Sequence, residues 1–203
     1  MAYIGNFPTS TGFNSLNFQQ NTITKQTKTQ SGRSIRTTNA TTLWSATLQF
    51  PTMTQEEFRP VQAFIALAQG ALNEFDVILP SVSTSLSSGS AVSSKSVDGD
   101  HTAGDTTINI STTLTSQNLL KAGDVIRFEN HTKVYMVTSD INTDGSGDAT
   151  LNIQPALVEN LTNGEDITLT NVPFRMTITN DIQEFGYRTD GLIDYEIDIE
   201  EVL

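Results

Sequence analysis

Few residues in this chain have types and spacings suited to catalysis or metal binding. Asp140, Asn142, Asp144 and Gly145 match the first half of a calcium loop, whose alternating oxygens converge on one ion. The twelfth position, where such a loop requires a bidentate carboxylate, is Leu151, so the stretch reads as a hairpin turn. His101 and His131 both fall in turn regions and lack a second ligand at a metal-binding offset. The pair Glu200-Glu201 could do acid-base work only in a cleft that raises one pKa, and its place on a strand's polar face predicts solvent instead. With no cysteine there is no thiol nucleophile, disulfide or Cys-ligated zinc. Nucleophile elbows, phosphate loops and dinucleotide fingerprints are also absent from the sequence. The expectation is a protein without catalytic residues, cofactor or metal.

Aromatic rings offer a different chemistry, because a small β-barrel can bind oligosaccharide or single strands through exposed rings. Phe128 and Tyr135 are the candidate glycan contacts, although both sit in alternating strands where core packing is the commoner role. Trp44 reads as a core residue for the same reason.

Charge is distributed unevenly. The formal net charge of −12 argues against sequence-independent binding of nucleic acid, which requires a basic surface. No acid precedes Glu56, and Lys25, Lys28, Arg33 and Arg36 make that segment basic. From Asp181 onward eight acids, among them Asp194, Glu196, Asp198 and Glu200, face the single base Arg188. Two readings follow: solvated strand faces, or complementary edges paired within a protomer or between neighbours. On the second reading these eight named residues are the candidate interface.

The elements that carry these residues are mainly strands. Residues 14 to 50 alternate weakly and predict three or four strands, with breaks at Ser31-Gly32 and Asn39-Ala40. Thr54-Gln55-Glu56-Glu57 is a capping-box pattern, and Phe58, Val61, Phe64, Ile65 and Ala68 recur at helical spacing, predicting a helix over 54 to 69. Pro60 removes one hydrogen bond there, so the regular helix is expected to begin near it. "NEFDVILP" reads as a buried strand. Short alternating runs separated by Gly-, Asn- and Asp-rich turns then predict five or six strands of a small barrel. Within it, "KAGDVIRFENHTKVYMV" is a hairpin that cannot stand alone in water.

The final stretch resumes long alternating strands, with Ile193, Tyr195, Ile197 and Ile199 on one face. The simplest division is a base domain of 1–80 and 172–203, interrupted by a barrel at 81–171. The fold class expected is mainly β (α+β): a sheet or sandwich base with one helix, plus the inserted barrel. No leader or membrane-spanning stretch is expected, because the start lacks a basic region and "VQAFIALAQGAL" is short and interrupted.

Several strings, in this order, are similar to one family: "GFNSLNF", "LWSATLQFPTMTQEEFRPVQAFI", "FDVILP", "LKAGDVIRFENHTKVYMVT" and "VPFRMTITND". The chain resembles the distal tail proteins of long-tailed, non-contractile bacteriophages, in the form carrying an inserted barrel of the oligonucleotide/oligosaccharide-binding (OB) type. The resemblance implies a structural protein of the virion tail tip, made in the host cytoplasm. It further implies a homo-hexameric ring that binds tail-tube subunits above and hub or baseplate proteins below, with barrels projecting outward. It carries over no catalytic or metal-binding residue, and it implies neither specific nucleic-acid binding nor membrane insertion. The alternatives are a carbohydrate-binding module that reads host surface glycans and a tail-tube protein.

Overall fold

The computed structural model describes the backbone of residues 1–203 and the side chains of all but residues 39–41 and 88. The first part of the chain forms β1 (Tyr3–Asn6), β2 (Ser15–Lys28), β3 (Ser34–Gln49), β4 (Met53–Thr54), α1 (Gln55–Ala68) and β5 (Glu74–Ile78). The middle forms β6 (Lys95–Val97), β7 (Thr107–Thr112), β8 (Asn118–Leu120), β9 (Val125–Phe128), β10 (Tyr135–Val137), β11 (Ile141–Asn142), β12 (Asp148–Gln154) and β13 (Ile167–Thr168). The last part adds β14 (Pro173–Ile178), β15 (Gly186–Tyr187), β16 (Leu192–Asp194) and β17 (Glu196–Glu201).

One six-stranded sheet has the order β1-β5-β14-β17-β3-β2, built from both ends of the chain. Its inward positions obey strand alternation: Trp44, Ala46 and Leu48 of β3, Phe174, Met176 and Ile178 of β14, and Ile197 and Ile199 of β17 share one core. The amphipathic helix closes that core, burying Phe58, Val61, Ile65 and Ala68. Thr54 and Glu57 form the expected capping box. The helix begins at Gln55, so the expectation that it starts near Pro60 is corrected. Satisfying the first orphan amides at Thr54 nucleates the turns that Pro60 alone would disfavour.

Residues 14 to 50 contain two strands, where three or four were expected. The expected break at Ser31-Gly32 is the hairpin turn, in which Gly32 takes φ +81°, a conformation that favours glycine. The other expected break, Asn39-Ala40, falls within the span of β3, and the side chains there lie outside the described residues.

The second six-stranded sheet has the order β13-β9-β10-β12-β7-β6 and curls into a nearly closed barrel. Its free edges meet at a Ser96–Asp166 bridge, where the Val97 amide also donates to the Glu165 carbonyl at 2.9 Å. Ile108, Ile110, Leu151 and Ile153 are among the residues that fill its separate core. The chain enters the barrel after β5 and returns into β14, and these are antiparallel neighbours with Ile78 opposite Pro173. Both connections are tied at Ser83, whose hydroxyl accepts from the Leu79 amide at 2.9 Å and whose carbonyl accepts from the Val172 amide at 3.1 Å.

Candidate assembly surfaces and the domain junction

Three features of this fold could mediate assembly. The first is a ribbon. β2 and β3 pair from Ser15–Gln49 to Lys28–Ser34, with a register irregularity between Thr22 and Thr24, but beyond Gln19 the paired strands leave the sheet, and the residues from Gln19 to Lys28 and from Ser34 to Thr38 are exposed on both faces. A two-stranded ribbon that buries nothing is marginal in water, which makes this arm a candidate contact surface. It carries Lys25, Lys28, Arg33 and Arg36, and none of the four makes an ion pair among the described residues. Register places Arg36 opposite Gln26 and Lys28 opposite Ser34 on one face, while Lys25 opposite Thr37 and Ile35 opposite Thr27 lie on the other.

The second feature is a cleft of about 1030 Å³ at the other end of the same ribbon, beside Gln49 and Phe50. Asp194, Glu196 and Asp198 line it together with Glu184, a residue that sequence reasoning did not select. Asp198 accepts from Thr47 Oγ1 at 2.6 Å and from Asn180 Nδ2 at 3.2 Å, and Asp194 lies 3.7 Å from Arg188. Glu200, expected with them, is half-buried beside Ser45 and Thr177 and lies outside the cleft.

The third feature is the junction between barrel and base, where the hairpin of β9 and β10 docks. Val125 and Val134 leave the barrel core and join that of the base sheet. Lys133 is paired with Glu201, both side chains being fully buried. The same carboxylate accepts from the Val134 amide at 2.9 Å and the Trp44 amide at 3.2 Å, and Trp44 Nε1 donates to the Val134 carbonyl at 2.8 Å. Burial is the largest influence on both ionisable groups, pulling the Glu201 carboxyl up and the Lys133 ammonium down, while each partner opposes the other's shift.

The expectation of a solvated Glu200-Glu201 pair is thus corrected for Glu201. The alternation that buries Ile197 and Ile199 puts residue 201 on the same inward face. An acid at that parity was the signal for a buried partner. Nothing in the sequence pairs it with Lys133.

Asp124 closes the junction from the other side. Its carboxylate accepts from Ser85 Oγ at 2.6 Å, the Leu86 amide at 3.1 Å and the Lys121 amide at 2.8 Å, tying the entering connection to the docking hairpin. Arg127 reaches the base as well, donating to the Pro173 carbonyl at 3.0 Å.

Phe128 and Tyr135 are fully buried in the barrel core, which corrects their assignment as candidate glycan contacts. Each falls on the inward face of its strand, and Tyr135 Oη pairs with His131 Nδ1 at 2.7 Å while accepting from the Val158 amide at 3.2 Å. Trp44, as expected, is a core residue of the base. In the stretch resembling a calcium loop, Asp144 accepts from the Ser146 and Asp148 amides of its own turn, and Asp140 accepts from the Ala122 amide. In each case the bonds fall on Oδ1, which closes the local turns.

Comparison with protein-family models matches residues 5–82 to "Distal tail protein pb9, A domain, N-terminal" and residues 85–172 to "Distal tail protein pb9, B domain". No curated protein matches the chain. The two matched segments abut at the point where the chain leaves the base sheet and between them cover most of its length. The chain belongs to the phage distal tail proteins, structural components of the virion tail.

Proposed function

We propose that this protein is an adaptor forming a hexameric ring at the end of the tail tube, joining the tube to the hub or baseplate. In this reading residues 1–80 and 172–203 build the ring and the OB-like barrel of 81–171 projects from it. The observation that carries the proposal is the position of the arm relative to the cleft. They lie at opposite ends of one ribbon, and the 16 residues of β3 at about 3.3 Å each span roughly 50 Å. The arm therefore cannot reach its own cleft, and a contact between them is heterologous, the kind that closes a ring by rotation. The protein's partners would be its own copies, the tube protein and hub proteins, in a virion assembled from subunits made in the host cytoplasm. No step of this role requires catalysis or a cofactor.

Mass measurement across concentration and salt, with negative-stain images of the same sample and of tail tips, tests the proposal. Six-fold rings are expected. Long stacks would identify a tube protein instead, and tail tips lacking a six-fold layer of this chain would refute the ring. The glycan-binding alternative lacks support, because Phe128 and Tyr135 are the only Phe, Tyr or Trp residues between 85 and 172 and both are buried.

A further inference from the structure

We infer that the basic arm of one copy lies in the acidic cleft of the next copy, making arm and cleft the two halves of one head-to-tail interface. This rests on the ring reading for its closure, but the contact itself is argued from shape and charge.

The arm is the unusual element. A ribbon exposed on both faces, with cations on both, is poorly matched to a flat surface, which would neutralise one face and leave the other in water. A cleft with two walls can cover both faces. Asp194, Glu196 and Asp198 lie on or beside β17, whereas Glu184 comes from the connection between β14 and β15. Among the described residues, the Glu184 and Glu196 side chains make no ion pair or hydrogen bond, so two exposed carboxylates await a cation.

Apolar groups correspond as well. Ile35 is 52% exposed on the arm, and Ile182 is 81% exposed at the cleft, where Phe185 is half-buried. Both isoleucines are therefore available to be covered when arm and cleft meet. Within one chain the halves cannot meet, so the occupant is a second copy. Charge alternation also sets the polarity: arm-to-arm and cleft-to-cleft pairing would oppose like charges, leaving arm-to-cleft as the favoured arrangement.

The absence of cysteine makes a direct test possible, because introduced thiols are unique. Thr27→Cys on the arm and Ile182→Cys at the cleft are made as separate full-length chains, mixed and oxidised. The expected product is a disulfide dimer of the two different chains, exceeding either homotypic dimer about tenfold.

In parallel, an arm variant (Lys25→Glu, Lys28→Glu, Arg36→Glu) and a cleft variant (Glu184→Lys, Glu196→Lys) are compared by sedimentation. Each alone is expected to raise the self-association constant for dissociation by about tenfold or more, and mixing the two restores association. All five positions are exposed, and circular dichroism confirms that the fold is intact. Rings that persist in both reversed variants, without the mixed disulfide, overturn the arm-and-cleft contact and leave the ring standing. Mixed disulfides in open chains that never close keep the contact and overturn the ring. A chain that is monomeric at every soluble concentration, forms no mixed disulfide and is absent as a ring from tail tips overturns both.

Discussion

Removing Lys133 from the junction should separate the barrel from the base. Lys133→Met preserves most of the side-chain volume but leaves the Glu201 carboxylate buried with two amide donors and no counter-charge. Breaking a buried ion pair from one side costs about 3–5 kcal/mol. The two remaining hydrogen bonds favour the lower end, about 3 kcal/mol, or a melting temperature about 6–12 °C lower for a chain of this size. The double variant Lys133→Met with Glu201→Gln carries no buried charge, and the glutamine oxygen still accepts from the Val134 or Trp44 amide. Its cost should be about 1–2 kcal/mol, less than that of the single variant.

Differential scanning calorimetry reads both quantities and one more. The pair ties two cores together, so Lys133→Met should split a shared transition into separate barrel and base transitions. The reasoning is refuted if Lys133→Met stays within about 1 kcal/mol of the parent, or if the double variant costs the sum of the two singles.

Other predictions concern single elements. Thr54→Ala removes the hydroxyl that accepts from the Glu57 amide and should cost about 1 kcal/mol in thermal or denaturant unfolding, with the helix retained. Phe128→Ala empties a fully buried site and should cost about 3–5 kcal/mol, seen as loss of the barrel transition, whereas an exposed glycan-binding ring would cost little. Burial holds the His131 imidazole below its ordinary pKa of 6.5. The unfolded chain therefore takes up a proton that the folded chain refuses: the stability is present in full above pH 6.5 and is lost as pH falls. The loss is at most about 1.4 kcal/mol per pH unit and stops once the pH passes the lowered folded pKa, and His131→Gln should flatten the melting-temperature profile just below pH 6.5 relative to the parent.

The sequence by itself determined the elements whose physics is local. The capping box of Thr54 and Glu57 and the helical spacing from Phe58 to Ala68 specify α1 without reference to anything else. Alternation assigned the inward faces of β14 and β17, and turn residues marked out the strands of the barrel. Even the arm left a trace, since Gln19 to Thr38 holds only two large apolar residues, Ile23 and Ile35.

Only the tertiary structure decided what those faces meet. Lys133 and Glu201 are 68 positions apart, and long-range pairing leaves no periodic signal in either strand. The same applies to the cleft, where Glu184 joins Asp194 and Glu196 because the connection after β14 folds back over β17. Arm and cleft are kept apart by β3, a continuous strand of 16 residues that the sequence suggested was broken. Weak alternation in a Thr- and Asn-rich stretch looks the same whether a strand ends or continues, and the ladder with β2 on either side of the irregularity between Thr22 and Thr24 is a long-range pairing that leaves no mark in it.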